Sequence, residues 1–476
     1  MEFSFPPYIA GLIKKFEEAN FEIYIVGGAV RDLLMRRTVK DWDFTTNATP
    51  DEMLKLFPNA FYNNAFGTVG VPSEALAKLG ITIEKDVVLE VTTYRSEGEY
   101  SDKRHPDKVS WGKTLKEDLE RRDFTINAIA IKVTRNTNQD TRKKGNELPP
   151  ASYASLIDPF GGQNDLDKKL IRAVGNPNER FQEDALRMAR AVRIAAELGF
   201  TIEEQTFEAI RKNTELIEHV SAERIRDEVL KLLASPFPYE GILILKSSEL
   251  LRKILPEVEI AFDVPQKSPK RHHVVDVGTH LLLSLRYCPS RDPLVRLGAL
   301  LHDVGKPETF KKDPRTDIIT FYNHEVVGGR IVREIAKRLK LSKKQGDKLW
   351  ILVRWHLFTV DERQTDSAIR RFIRNVGREN LEDILNVRTG DRMGGGATET
   401  SWRLELFKKR LAQVQKQPFS VQDLKINGYD VMKELGIPSG PKVGEILSAL
   451  FAKVEEEKLK NNKAMLIKRM KDLVKS

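Results

Sequence analysis

One cysteine, Cys288, stands alone in 476 residues. A single thiol excludes a disulfide framework and a cysteine-built zinc site, and it suits a chain kept in the reducing cytoplasm. No apolar run approaches the roughly 18 residues that a membrane helix needs, so no span and no membrane partner are predicted. The opening stretch, Met1 to Phe21, has neither a basic leader nor a long apolar core, which speaks against a secretory signal. Internal repeats and low-complexity tracts are also missing. What the chain does have is size, apolar content and positive charge. At about 150 residues per domain, its length predicts roughly three domains. Hydrophobic residues make up 40% of it, ample for buried cores. The net charge of +10 and pI near 9.3 favour an anionic partner, of which nucleic acid is the commonest.

Residues 1–135 read as mixed α/β. Segments 21–28 (FEIYIVGG), 86–94 (DVVLEVTTY) and 126–133 (INAIAIKV) are short, β-branched and bounded by turn residues, hence strands. Helices are predicted over 8–18, 29–36, 51–56 and 115–121. The polar, breaker-rich stretch 134–152 is a surface loop, and 158–175 is a turn, a short helix and a closing strand. From 180 onward the pattern is helical, with one strongly periodic helix over 183–200 ended by Gly199. A basic linker (266–273) and a break at 389–400 (TGDRMGGGATET) divide the helical part.

The stretch YIVGGAVRDLL (24–34) places a glycine pair between a buried strand and a helix, and VKDWDFTTNATP (39–50) follows it. Read as strand, Asp41 and Asp43 point to one face. Two like charges side by side call for a cation between them, and Mg²⁺ prefers such oxygen ligands. Metal-bridged carboxylates are also what phosphoryl or nucleotidyl transfer needs. Gly27 and Gly28 let backbone N–H groups approach a triphosphate, and Arg31 adds a charge-assisted contact. Glu90 lies inside an apolar strand. It is either a third metal carboxylate or one half of a salt bridge, with Arg95 as a candidate partner. In RRDFTINA (121–128), Arg121 and Arg122 can neutralise a triphosphate or form a salt-bridged helix end. Asp123 and Asn127 can brace the turn or meet the nucleotide sugar. Asp184, Arg187, Arg190 and Arg193 recur every three residues, as one stripe on a helix. Asp184 beside Arg187 offers acceptor and donor together, enough to pair with a base edge, while Arg190 and Arg193 would face phosphate or stack on the base. The bland alternative is a solvated charge ladder, with Met188, Ala189, Val192 and Ala195 as core in either case.

Of the eight histidines, four fall in a series with two aspartates: His280, His302 next to Asp303, His324, His356 and Asp391. Imidazole with carboxylate suits Mn²⁺, Ni²⁺ or Co²⁺. Lys306 nearby could hold a phosphate. His105, His272 and His273 are either RNA contacts or solvated residues.

GGAVRD followed by DWDF resembles the class II template-independent nucleotidyltransferases: the tRNA CCA-adding enzymes, their CC-adding and A-adding relatives, and bacterial poly(A) polymerases. Segments 93–111, 117–130, 158–162, 183–200 and 426–447 resemble further motifs of that family in the same order. The histidine series resembles the HD metal-dependent phosphohydrolases. These resemblances imply an α+β fold. A nucleotidyltransferase head with a small mixed sheet of the polymerase-β type (1–170) would precede an all-helical neck (171–255), an HD body (256–398) and a helical tail (399–476). They imply CTP and ATP as substrates and the tRNA 3′ end and acceptor arm as partner. Asp41 and Asp43, with Glu90, would be catalytic through Mg²⁺. Gly28, Arg31, Arg121 and Arg122, with Asp184, Arg187, Arg190 and Arg193, would bind nucleotide, and the HD site would take a transition metal. NAFGTVGVP (64–72) resembles the CCA-adding pattern more than the arginine-rich polymerase one, and the intact EGEYSDKRHPD (97–107) favours adding the terminal A. The alternatives are an A-adding enzyme, a poly(A) polymerase, or chiefly an HD phosphohydrolase acting on a cyclic or 2′-phosphate.

Overall fold

The computed structural model describes every residue except 1, 2, 4, 63–66, 79–86, 97–109, 135–152, 267–274, 359, 416–420, 456, 457 and 476. The expected mobile-loop segment 97–107, with His105, and the pair His272–His273 lie outside the described residues, as does most of the loop 134–152. The chain divides into two compact units, Met1–Pro256 and Glu257–Ser476.

The first unit is built on a mixed sheet with seven strands. They are β1 (Ile23–Val26), β2 (Asp43–Thr46), β3 (Phe61–Tyr62), β4 (Thr68–Pro72), β5 (Val88–Thr93), β6 (Ala130–Thr134) and β7 (Tyr153–Ile157), in the order β3-β4-β5-β2-β1-β6-β7. All pairings are antiparallel except β2 with β5, where Asp43 faces Glu90. Every residue of β1 is buried, as a central strand covered on both sides requires. Strand β7 was not expected. YASLI alternates weakly and contains small residues, and only pairing with β6 at the sheet edge makes it a strand.

Two local readings are corrected. Strand β2 begins at Asp43, and Asp41 lies in the bend before it, so strand alternation does not align the two carboxylates. The predicted helix over 183–200 is two helices, α3 (Pro177–Glu183) and α4 (Leu186–Leu198), broken at Asp184, whose φ is −142° and ψ 101°. Asp184 therefore precedes the helix that carries Arg187, Arg190 and Arg193. The buried side of α4 includes Met188, Ala189, Val192 and Ala195, and it packs on α5 (Ala222–Ala234). Gly199 ends α4 in the left-handed conformation at φ 69°.

The second unit is helical. Its relevant elements are α6 (Val277–Tyr287), α7 (Pro293–Leu301), α8 (His324–Arg338), α9 (Lys343–Arg354) and α10 (Leu381–Gly394). Asp276 caps α6 through the Thr279 N–H at 2.8 Å, and Ser342 opens α9 with a capping box completed by Gln345. Phe358, Phe372 and Phe407 cluster with Ile369, Ile384 and Leu411 in its core. The break predicted at 389–400 is wrong at its start, because α10 continues to Gly394. A Cβ at Gly390 would come 2.4 Å from the Ser284 carbonyl oxygen, and one at Gly394 2.5 Å from Ser284 Oγ. These glycines permit close packing against α6 and do not end the helix. Residues 421–473 hold a separate apolar cluster around Val431, Leu450, Leu466 and Met470.

Candidate active site and metal centre

In the first unit, the chain turns between β1 and α1 (Gly28–Leu34) at Gly27, with φ 73° and ψ −140°. A Cβ on Gly27 would stand 3.1 Å from Arg122 Nη1 and 3.3 Å from Asp43 Oδ2. The positive φ favours glycine here, and a side chain would also crowd the Arg122 and Asp43 termini. Gly27→Ala should therefore cost roughly 1–3 kcal/mol in stability and push Arg122 away from Asp43. A thermal melt read beside a nucleotide-incorporation assay checks it, and an unchanged melting temperature with full incorporation would contradict the crowding.

Burial pushes the Asp43 carboxyl up, and the charges of Glu90 and Asp41 add to this against the opposing pull of Arg122 and Arg31. Three carboxylates thus bear on one point, an arrangement a divalent cation would relieve. Glu90 is not the buried charge expected from its apolar strand. Strand β5 alternates, with Leu89 and Val91 buried while Val88 and Glu90 are exposed. Arg95, its suggested partner, donates to Thr68 Oγ1 at 3.3 Å. Asp41, Asp43 and Glu90 do not form a tight ligand triad. Among the described residues, the three-ligand groups with all donor atoms within 4.8 Å of one another are both in the second unit.

Arg121 and Arg122 are both held by Asp118 at the end of α2 (Leu115–Glu120), Arg121 Nη2 at 2.7 Å and Arg122 Nη2 at 3.1 Å. Burial raises the Asp118 carboxyl, but the two guanidiniums outweigh it and hold it below the usual range. The salt-bridged reading applies to both arginines, yet Arg122 still faces Asp43. Arg31 donates to Asp32 at 2.9 Å and to Asn127 Oδ1 at 3.1 Å. Asn127 donates to Asp123 Oδ1 at 3.2 Å, and Arg190 Nη1 donates to Asp123 Oδ2 at 3.1 Å. Asp123 and Asn127 thus link the glycine turn to α4.

The stripe beyond Asp184 is no solvated ladder. Arg187 donates to the Arg180 and Arg121 carbonyls, each at 3.1 Å, and to Glu183 at 2.6 Å. Arg190 and Arg193, expected to face phosphate or base, are instead engaged by Glu228, at 3.5 and 2.5 Å, and Arg193 also by Glu197. Asp184 Oδ1 accepts from the Leu186 N–H at 3.1 Å, and its Oδ2 from Arg224 Nη2 at 2.7 Å. Sequence reasoning missed Arg224 and Glu228. A signal was there for Glu228, because it falls in the apolar stripe Ile225, Val229, Leu232 and Leu233 of α5, where a charge must be paired.

In the second unit the structure brings all six histidine-series residues together. His280 Nε2 lies 3.4 Å from Asp303 Oδ2 and 3.3 Å from Asp391 Oδ1; His302 Nε2 lies 3.2 and 3.6 Å from the same oxygens. His324 and His356 reach Asp303 Oδ1 at 3.1 and 3.5 Å. The Nδ1 atoms of His302, His324 and His356 lie 2.8, 2.8 and 2.7 Å from the carbonyl oxygens of Ala299, Phe321 and Val353, each three residues back. These contacts fix the orientation of each ring and turn each Nε2 toward the centre, which is how metal-ligating imidazoles are held. Burial opposes charging His302, but Asp303 and Asp391 push it up to about 10, and both aspartates sit well below the ordinary carboxylate range despite burial. Lys306 pairs with Asp303 Oδ2 at 2.5 Å, in keeping with its position beside the cluster. A cavity of about 480 Å³ opens on this centre, with Lys306, Arg388 and Arg392 in its wall and exposed Tyr322 and Leu357 in its lining.

The chain is 31% identical over 463 residues to the CCA-adding enzyme of Geobacillus kaustophilus (strain HTA426), covering 96% of this chain and 95% of that one. It belongs to the CCA-adding enzyme family. A second CCA-adding enzyme, from Ligilactobacillus salivarius (strain UCC118), is 31% identical over 465 residues, covering 97% of this chain and 95% of that one. Family models match at residues 23–172 (Poly A polymerase head domain), 199–262 (RNA and SrmB-binding site of polymerase A) and 321–470 (tRNA nucleotidyltransferase domain 2). The solved Bacillus stearothermophilus CCA-adding enzyme in complex with CTP aligns with 99% of this chain and 98% of its own, at 26% identity and TM-score 0.65. The Thermotoga maritima CCA-adding enzyme complexed with tRNA shares the fold, with TM-score 0.58 and 21% identity over 99% of this chain and 97% of its own. The α+β expectation, a head with a mixed sheet followed by helices, agrees with this CCA-adding architecture.

Proposed function

We propose that this chain adds C and A residues to the 3′ end of tRNA, taking CTP and ATP, using no nucleic-acid template and releasing pyrophosphate. The observation that carries the proposal is the joint approach of Asp43, Arg122 and the Gly27 turn in the head of a CCA-adding family member. Asp41 and Asp43 would hold Mg²⁺, with Glu90 beside them. When bound, the metal activates the tRNA 3′-hydroxyl and neutralises phosphate charge. Gly28, Arg31, Arg121 and Arg122 orient the triphosphate. Asp184 and Arg187 read the base, on a helix that Arg190 and Arg193 fasten to its surroundings. The domain scheme is head 1–170, neck 171–255, body 256–398 and tail 399–476, the last two meeting tRNA largely through phosphates. Among the described residues no helix is long and apolar enough to cross a membrane. The tRNA substrate and the lone, buried Cys288 support a cytoplasmic site of action.

A second reading concerns the second unit. Its converging Nε2 atoms, with two buried aspartates, fit Mn²⁺, Ni²⁺ or Co²⁺ in an HD-type centre with an accessory phosphohydrolase activity.

The test of the main reading uses tRNA transcripts ending at the discriminator base, at C or at CC, each with labelled CTP or ATP. Extension of all three to CCA is expected. Extension of the CC-ended transcript alone would make this an A-adding enzyme, and long A tails would make it a poly(A) polymerase.

A further inference from the structure

We propose that Arg224, on α5, is a specificity-determining residue for nucleotide choice, acting by holding the carboxylate of Asp184 in its base-reading orientation. The inference rests on the reading of Asp184 as the acceptor for the incoming base.

Asp184 sits in extended backbone between two helices, so no regular element fixes its side chain. Two bonds do so instead. The Leu186 N–H takes Oδ1 at 3.1 Å and Arg224 Nη2 takes Oδ2 at 2.7 Å. One bond alone would leave the carboxylate free to swing about it; two partners on different oxygens set its plane. Each oxygen keeps acceptor capacity, since a carboxylate offers about four lone-pair sites and these partners use two. A carboxylate offers acceptors only. It can receive an exocyclic amino group, as cytosine and adenine present, and has nothing to offer the carbonyl that uracil and guanine present there. Such a site rejects the wrong base because that base leaves buried polar groups unpaired.

The second bond comes from a rigid source. Arg224 is presented by a helix anchored through Val229, Leu232 and Leu233. One turn further along, Glu228 of the same helix grips Arg190 and Arg193 at 3.5 and 2.5 Å. Helix α5 thus fixes α4 at one height and Asp184 at another. The Arg224–Asp184 pair joins residues 40 apart in sequence and is partly shielded, with side-chain exposures of 27% and 17%. It is therefore unlike the i,i+4 pairs of an exposed helix face, which are worth little.

The experiment compares the parent with Arg224→Ala, Arg224→Lys, Asp184→Ala and the Arg224→Ala/Asp184→Ala double variant. It measures relative kcat/KM for CTP, ATP, UTP and GTP on transcripts ending in C and in CC, alongside a thermal melt. Loss of one charge-assisted bond predicts that Arg224→Ala weakens discrimination against UTP and GTP by roughly 10–100-fold. Arg224→Lys should restore part of it. The double variant should discriminate no worse than Asp184→Ala alone, because Arg224 acts through Asp184. Discrimination within about twofold of the parent, or an equal fall for all four nucleotides, would overturn the inference. If Asp184→Ala loses selectivity while Arg224→Ala keeps it, Arg224 is dispensable and the base-reading assignment stands. If neither variant loses selectivity, that assignment itself fails. Should Arg224→Ala not fold, Arg224→Lys decides: parent-like ratios together with parent-like kinetics in a variant whose shorter amine cannot reach Asp184 in a crystal structure would overturn the inference equally.

Discussion

Asp43→Ala is expected to lower nucleotide incorporation by roughly 10³-fold or more, the effect of losing several kcal/mol of metal-borne charge stabilisation. Asp43 opens β2 at the one parallel pairing of the sheet, its Cα partnered with Val26 across β1 and with Glu90 across β5. The one other carboxylate at that register, Glu90, is exposed. Arg122 would then lose the carboxylate on its Gly27 side and keep only Asp118 as its counter-charge. Asp41→Ala should act in the same direction, although Asp41 is exposed on a bend and its loss disturbs less packing. Binding of tRNA should survive in both, because the positive charge of the chain is untouched. Single-turnover incorporation and a filter-binding titration measure the two quantities. Normal incorporation by Asp43→Ala would remove it from the mechanism. Glu90→Gln should be milder, since Glu90 is exposed and tunes Asp43 by its charge.

The second large effect is expected in the other compact unit. His302→Ala with Asp303→Ala should abolish transition-metal binding, a loss well beyond the roughly 10–100-fold caused by changing a group that only hydrogen-bonds to a metal ligand. Asp303 is the hub, with one oxygen toward His280, His302 and Lys306 and the other toward His324 and His356. Removing it also takes the counter-charge from the buried Lys306, which keeps only its bond to Gln266 Oε1 at 2.5 Å, so the milder Asp303→Asn and His302→Asn belong in the same series. Titration with Co²⁺, followed by its visible absorption, and metal content after dialysis provide the readouts. Phosphohydrolase activity should disappear with the metal. Nucleotide addition should persist, because the carboxylates assigned to it lie in Met1–Pro256. Its collapse in a folded variant would sink the two-site scheme.

The parts of these sites that could be read in the sequence are those written in short runs. The glycine turn with its arginine and the His-Asp pair each carry their chemistry within a few residues, and the structure has Gly27 at positive φ and His302 beside Asp303 in the buried cluster; of the D-x-D segment only Asp43 lies in the strand. Features that depend on cross-element pairing could not be read so. The sequence contains no breaker at Asp184–Ala185, and an Asp with both oxygens occupied by Leu186 and Arg224 ends one helix and starts the next. Conversely, Gly390 and Gly394 look like breakers and serve as the smooth side of a helix laid on Ser284. Glu90 misled for a third reason. Apolar neighbours in a strand alternate faces, so they do not bury the residue between them.

The placement of β1 has a consequence for how the chain is made. Its partners lie on both sides, β2 soon after it and β6 much later, with Ile25 opposite Ile131. At typical elongation rates of about 5–20 residues per second, several seconds to about twenty pass between synthesis of the glycine turn and of the strand that covers its far edge. Throughout that interval β1 offers an unpaired, wholly apolar edge, the kind of surface on which nascent chains associate. The parallel β2–β5 contact adds a second long closure, so Asp43 and Glu90 meet late, while the helical unit, rich in local contacts, condenses quickly once it emerges. A ribosome pause before Ala130 would prolong the exposure, and a chaperone that shields strand edges would shorten its effect.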